Sequence, residues 1–166
     1  MGFFSAAVDS VIVFFSAVLI LAAPLIDGQV ILPAAFFPPA LVKFNQWYSE
    51  HYGDYLAKER PHFFAGLIWI EIVLIWPLSF ANVYGILARR RWVSTTSLMV
   101  GVSLATSMAA LMAELLGSGR ASQKLLQLYS PFVAFSVLAI LKGVFSGSCY
   151  TVIKASHAPA ARKKRA

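Results

Sequence analysis

The chain has 166 residues, and its 59% hydrophobic and 13% charged residues lie far outside the soluble range, in which about 25% are charged. This composition excludes a water-soluble domain and predicts one domain folded in a bilayer. The single cysteine, Cys149, excludes an internal disulfide, and the net charge of +7 comes from basic residues at the ends of apolar runs, which suits lipid head groups and not nucleic acid.

Four stretches contain about 20 mainly apolar residues, the length that a membrane-spanning helix needs. Pro61 suits the first turn of the second helix, and Lys142 is expected to reach the head groups from the end of the fourth. The predicted fold is an all-α, integral membrane four-helix transmembrane bundle within a domain over 1–150, followed by a basic cytosolic tail over 151–166. The four predicted helices are about 8–30, 61–88, 92–116 and 125–145.

The segment between the first two helices is rich in prolines and aromatic residues. Aromatic side chains at this density are typical of the membrane–water interface. Residues 40–56 could form an amphipathic helix on the bilayer surface or a structured cap over the bundle, and the sequence does not separate these two arrangements.

Basic residues predict the orientation of the bundle in the membrane. Arg89, Arg90 and Arg91 link the second and third helices, and further basic residues follow the fourth. Because lysine and arginine concentrate in cytosolic loops, both termini are predicted to be cytosolic. Lys163 and Lys164 also resemble the dilysine retrieval signal of endoplasmic-reticulum membrane proteins, although a basic tail attracted to anionic lipids would look the same.

Among the acidic residues of the predicted helices, Asp27 and Glu71 are the two that could lie at bilayer depth. An aspartate at bilayer depth costs roughly 2.5 to 3.5 kcal/mol on insertion scales, so an unpaired acid that faces lipid is not expected. The first two helices are antiparallel and rise about 1.5 Å per residue, so both acids can reach a similar depth if the helices are adjacent. We therefore predict that the two acids face each other across the bundle interior.

Two carboxyl groups that share an apolar site cannot both ionise cheaply, so they are expected to share one proton. The pair then carries about one negative charge in an apolar cavity, which is what a hydrophobic protonated amine requires. Trp76, Tyr129 and Phe132 are candidates for lining this cavity, because ring faces attract cations. The alternative is that Asp27 caps a helix end and Glu71 bonds to a nearby hydroxyl group, with no ligand involved.

Other residues of the predicted helices could shape such a cavity. Pro77 and Pro131 are expected to kink the second and fourth helices and open space beside the acids, although membrane helices also tolerate proline readily. Thr106 and Ser107 could supply hydroxyl groups to that space, or simply bond between helices.

Known catalytic motifs are missing from the sequence, which contains no Walker loop, dinucleotide-binding glycine pattern, nucleophile elbow or HExxH. The three histidines fall in predicted loops or at interfaces. A proton-transfer enzyme would be expected to place a histidine or a further acid at depth. We therefore predict no catalytic residue, no cofactor and no metal site.

Four short motifs follow one another along the chain: LIDGQVILP (25–33), FNQWYSEHYGD (44–54), RPHFFAGLIWIEIVLIWP (60–77) and LYSPF (128–132). Their order and spacing resemble the EXPERA-domain family, and within it the sigma-2 receptor group. The resemblance extends over roughly residues 10–145, nearly all of the predicted membrane part.

The resemblance implies a multi-pass endoplasmic-reticulum protein, often a homodimer, whose occluded pocket binds sterols and cationic amphiphilic small molecules and which is linked to sterol homeostasis. It implies that Asp27 forms a salt bridge with the ligand amine, that Glu71 is the protonated hydrogen-bond partner of Asp27, and that Asp54 supports the site. Two departures from the receptor pattern, Ile75 and Phe132, remove a polar contact and a hydroxyl group, and they predict a different ligand profile.

The resemblance also leaves alternatives to the receptor hypothesis. The same superfamily contains the emopamil-binding sterol isomerase, but an isomerase would need an additional deep histidine and acid, which this chain lacks. A third hypothesis is a structural or chaperone-like subunit of a sterol-handling membrane complex, in which the acid pair could be neutralised without loss of function. The sequence favours the non-enzymatic receptor.

Overall fold

The structure is a computed structural model that describes the backbone of residues 3–156 and the side chains of residues 5–146. Within these ranges all regular secondary structure is helical. Four helices are long and apolar enough to cross a membrane, which confirms the predicted all-α class and the number of spanning helices. The predicted retrieval signal, Lys163 and Lys164, lies outside the described residues.

The described chain forms four long helices and, between the first two, a short helical segment. In chain order the helices are α1 (Phe3–Ala22, continued by a π-helical turn Ala23–Asp27 and a final turn Gly28–Ile31), α2 (Pro39–Tyr52), α3 (Tyr55–Glu59), α4 (His62–Ile70, a π-helical turn Glu71–Ile75, and Trp76–Leu87), α5 (Val93–Gly117) and α6 (Gln123–Ser156). A single 3-10 turn, Ala34–Phe36, precedes α2.

The last helix differs from its predicted extent. It continues to Ser156, whereas the prediction ends at residue 145. Lys142 forms an ion pair with Asp9 of α1, and its side chain is only 11% exposed. A carboxylate of the neighbouring helix therefore satisfies the charge of Lys142, and the helix continues beyond this residue.

The four long helices pack around one another in the order α1, α4, α5, α6, with α6 returning to α1. The indole Nε1 of Trp76 on α4 donates to the backbone oxygen of Ile20 on α1 at 3.0 Å. The Thr96 hydroxyl of α5 donates to Oδ1 of Asn82 on α4 at 2.7 Å. Such interhelical bonds fix the rotation of each helix about its own axis, because the apolar faces alone allow several rotations.

The backbones of α5 and α6 approach each other closely at two glycines. A Cβ atom at Gly101 would lie 2.8 Å from the backbone nitrogen of Ile140, and one at Gly143 would lie 2.5 Å from Cβ of Leu98. Small residues at such crossings allow backbones to approach and gain van der Waals contact. These two glycines therefore set the spacing of α5 and α6.

The segment α2–α3 covers one end of the bundle, which answers the question that the sequence left open. Tyr55 bonds through its hydroxyl group to Glu114 at 3.2 Å and to Ser118 at 2.9 Å, both near the end of α5. Leu56 is 1% exposed and belongs to the main apolar core. On the outer side Trp47 remains 53% exposed, so the same segment caps the bundle and also presents an aromatic surface.

Two of the long helices contain a π-helical turn beside a proline. In α1 the turn Ala23–Asp27 includes Pro24, and in α4 the turn Glu71–Ile75 directly precedes Trp76-Pro77. Proline lacks the backbone N–H and clashes with the carbonyl one turn earlier, so the helix accommodates it by local widening. A kink was predicted at both Pro77 and Pro131. The helix is irregular directly before Pro77, whereas Pro131 lies inside the α-helical run of α6.

Candidate functional site

The predicted acid pair lines one cavity. A cavity of about 160 Å³ lies between the long helices, beneath α2, and both Asp27 and Glu71 contribute to its wall. The side chains of Tyr48, Tyr129 and Phe132 line it as well. The rest of the wall is apolar and is formed by Leu19, Ala22, Ile26, Phe64, Ile68, Leu104, Met108, Leu111 and Leu128.

Both acids are placed at the cavity by the irregular turns of their helices. Asp27 is the last residue of the π-helical turn in α1, and Glu71 is the first residue of the turn in α4. Each side chain is half-buried. Within residues 5–146, neither carboxyl group has a hydrogen-bond partner. A pair of acids without protein partners in an apolar cavity is an arrangement that a cationic ligand would stabilise.

A further acidic side chain, that of Asp54, contacts the wall of the cavity. Asp54 is 1% exposed and caps α3, accepting a hydrogen bond from the Ala57 backbone N–H at 3.1 Å. Its other oxygen accepts from the Tyr129 hydroxyl at 3.2 Å. Burial raises the pKa of Asp54 above its ordinary value, and the hydrogen bonds from Ala57 and Tyr129 oppose this shift. Asp54 thus orients Tyr129, which lines the cavity.

Burial also raises the pKa of the Tyr48 hydroxyl, and the nearby carboxylate of Asp54 adds to the effect. Tyr48 is therefore neutral at any physiological pH and can donate a hydrogen bond. It reaches the cavity because α2 folds back over the bundle. The sequence did not lead us to predict Tyr48 as a cavity residue. Only the cap arrangement of residues 40–56, which the sequence left open, would have placed it there.

Four of the seven predicted ligand contacts line this cavity, namely Asp27, Glu71, Tyr129 and Phe132. Trp76, Thr106 and Ser107 lie outside its lining. The Trp76 indole is directed to the backbone of α1, and its ring packs edge-on against Phe80.

Helix geometry explains why the Thr106 hydroxyl group misses the cavity. The face of α5 that lines it carries Leu104, Met108 and Leu111, at the spacing of one helical side. Thr106 lies away from this side, is exposed, and donates to the Val102 backbone oxygen at 2.9 Å. Ser107 is buried among helices instead. The prediction chose these residues for their chemistry without knowing the rotation of α5.

The two departures from the receptor pattern fall in different places. Phe132 lines the cavity and packs edge-on against Phe15 of α1, with ring centroids 5.6 Å apart. Ile75 is 1% exposed and lies outside the lining. A change of ligand profile is therefore expected from the missing hydroxyl group of Phe132 more than from Ile75.

Fold and cavity together define a multi-pass membrane protein with an acid pair in an apolar cavity of its helix bundle. The sequence model of EXPERA (EXPanded EBP superfamily) matches residues 40–143, and the chain belongs to this family. Sigma intracellular receptor 2 of Xenopus tropicalis is 25% identical, in an alignment that covers 74% of this chain and 79% of that protein. The matched residues include Glu71 and Asp54, whereas Asp27 precedes them.

Proposed function

We propose that the protein is a non-enzymatic receptor of the endoplasmic-reticulum membrane that binds sterols and hydrophobic cationic amines in the cavity of Asp27 and Glu71. The observation that carries this proposal is the presence of both acids, without protein hydrogen-bond partners among residues 5–146, in the wall of one apolar cavity. Similarity to a protein named as a receptor supports it.

The proposed chemistry follows from the charge of the pair. If the two carboxyl groups share one proton, the cavity carries about one negative charge, which attracts a protonated amine strongly at low local dielectric constant. Asp27 then forms the salt bridge with the amine, and protonated Glu71 donates a hydrogen bond to Asp27. The rings of Tyr129 and Phe132 add cation–π attraction, and the apolar wall contacts the body of the ligand.

The volume of the cavity constrains how a ligand binds. Sites for drug-sized molecules usually enclose about 300–1,000 Å³, whereas this cavity encloses about 160 Å³. It accommodates the amine-bearing end of a ligand, and the remainder requires the wall to move. Met108 is the most adaptable wall residue, because methionine is unbranched and has three rotatable bonds. We therefore expect the cavity to widen on binding.

A role in sterol homeostasis, residence in the endoplasmic reticulum, cytosolic termini and a homodimer belong to the same proposal. The resemblance to the receptor group supports these points, and the basic residues between α4 and α5 support the orientation.

Binding of a radiolabelled hydrophobic cationic amine to the purified protein tests the proposed site. We expect Asp27→Asn and Glu71→Gln each to weaken binding at least about tenfold, because a lost charge-assisted hydrogen bond is worth roughly 1.5–3 kcal/mol. Glu114→Gln is the matched control: Glu114 bonds to Tyr55 outside the cavity, and glutamine can still accept that bond. Melting temperatures establish that each variant is folded.

Two other outcomes would lead to other functions. Amine binding that persists in both cavity variants would rule out the acid-pair site and favour the structural-subunit hypothesis. The parent protein could instead shift a ring double bond of a sterol. Such an activity, if lost in Glu71→Gln, would show an isomerase of the kind found in the same superfamily.

A further inference from the structure

A second and larger cavity lies at the end of the bundle opposite to α2 and α3. Its volume is about 790 Å³. At this end α4, one of the spanning helices, ends at Leu87, and the next spanning helix, α5, begins at Val93. Because the turn between two spanning helices lies outside the hydrocarbon core, the cavity beside this turn lies at the depth of the lipid head groups.

The lining of this cavity is strongly basic. It contains four basic side chains, Arg89, Arg90, Arg91 and Lys142, and one acidic side chain, Asp9. Lys142 and Asp9 form an ion pair with each other. The lining of the cavity therefore holds more basic than acidic side chains, and the excess comes from the turn between α4 and α5. A basic cavity between membrane helices at head-group depth is suited to an anionic head group.

Two of these arginines have no carboxylate partner within residues 5–146, namely Arg89 and Arg90. Arg90 is instead held by Tyr84, whose hydroxyl oxygen accepts a bond from its Nη2 at 3.2 Å and whose ring centroid lies 5.9 Å from its guanidinium carbon. A neutral tyrosine orients the guanidinium group without cancelling its charge. The guanidinium fork also matches two phosphate oxygens at once.

The start of α5 adds to the same electrostatic preference. Trp92, Val93, Ser94 and Thr95 line the cavity at the amino end of this 25-residue helix. No side chain caps the helix there. The partial positive charge of a helix amino end favours an anion, and this reinforces the arginine charges.

Apolar surface beside the cavity indicates that the anion is part of a lipid. Leu87 is 72% exposed, and the stacked rings of Tyr84 and Trp92 are 55% and 41% exposed, with centroids 6.3 Å apart. Aromatic rings of this kind anchor helices at the head-group level, where acyl chains begin.

The basic tail of the chain is not a suitable occupant of this cavity. The basic residues of 151–166 have the same charge sign as the cavity and would be repelled by it.

We propose that this basic cavity binds the phosphorylated head group of an anionic membrane lipid, with Arg89 and Arg90 contacting the phosphate oxygens and the acyl chains following Leu87 and Trp92. Free phosphate shares the chemistry of the head group, but it would make no use of the apolar surface. The site is separate from the acid-pair cavity, and its existence does not depend on the function proposed for that cavity.

Native mass spectrometry of the full chain in detergent tests the proposal, with dioctanoyl phosphatidic acid as the anionic probe and dioctanoyl phosphatidylcholine as the zwitterionic one. We expect the parent to retain the anionic lipid preferentially. The double variant Arg89→Gln/Arg90→Gln is expected to retain it at least about tenfold less. The matched control Arg120→Gln/Lys124→Gln also removes two positive charges, but at the opposite end of the bundle, and it should bind like the parent.

Three results would overturn the proposal. One is equal retention of the two lipids by the parent, which needs no variant and therefore stands even if the double variant fails to fold. Another is equal loss of phosphatidic acid in the double variant and in the control, which would show a general effect of net charge. The third is displacement of the lipid by inorganic phosphate at equal concentration, which would identify a site for free phosphate.

Discussion

At the residue scale, Asp54 shows how one buried side chain connects the loop to the cavity. Its two oxygens accept from Ala57 and Tyr129, so it terminates the loop and fixes a ring of the cavity wall at the same time. Burial makes the charged form of this side chain costly, and that cost raises its pKa. The folded state therefore binds a proton at Asp54 more tightly than the unfolded chain does.

This shift predicts a pH-dependent stability. The stabilisation that protonated Asp54 provides is fully present below the ordinary aspartate pKa of 3.8 and is lost as the pH rises through the raised pKa of the folded state. Asparagine imitates the protonated form and remains a good helix cap. We expect Asp54→Asn to match the melting temperature of the parent in acid and to exceed it by a few degrees at pH 7. An equal difference at both pH values would contradict this assignment.

At the element scale, the spacing of α5 and α6 depends on glycines, which have no side chain. Gly101 faces backbone atoms of α6, which cannot move away as a flexible side chain could. A methyl group there must therefore separate the two helices. Gly66 on α4 has open space around it, although it also lies inside a membrane helix.

Alanine substitutions distinguish these two glycines. We expect Gly101→Ala to destabilise the protein by about 1–3 kcal/mol, the usual cost of overpacking a tight contact. Gly66→Ala should leave stability unchanged or raise it, because alanine has the higher helix propensity. Thermal unfolding in the same detergent measures both. A similar loss in the two variants would mean that helix spacing is not what Gly101 controls.

At the scale of the whole molecule, α2 and α3 join the cavity to the end of the bundle. The cap contributes Tyr48 and, through Asp54, the orientation of Tyr129. Its own attachment relies on Leu56 in the apolar core and on the contact of Tyr55 with the end of α5. Loosening the cap should therefore disturb the cavity from a distance.

Truncation of Leu56 tests this connection. Leu56→Ala removes a side chain that is 1% exposed, and we expect a loss of about 2–5 kcal/mol together with faster proteolysis of the cap. Binding of a cationic amine should weaken as well, since Tyr48 belongs to the same segment. Phe44→Ala is the control, because Phe44 is 45% exposed and does not line the cavity. Unchanged protease resistance in Leu56→Ala would show that the cap is held elsewhere.

The agreement between sequence and structure is best where a local pattern meets the bilayer. Lipid cannot satisfy backbone polar groups, so any apolar stretch of sufficient length must become a helix. That constraint explains why the number of spanning helices could be predicted, whereas the ion pair of Lys142 with Asp9 joins distant parts of the chain and could not.

The sequence by itself determined the class of protein, the number of spanning helices and the family, because composition and motif order require no knowledge of packing. Only the tertiary structure decided which side chains meet. Tyr48 lines the cavity, whereas Trp76, Thr106 and Ser107 do not. Both acids lie in π-helical turns. These outcomes depend on helix rotation and on close contacts between distant parts of the chain, which no local pattern specifies.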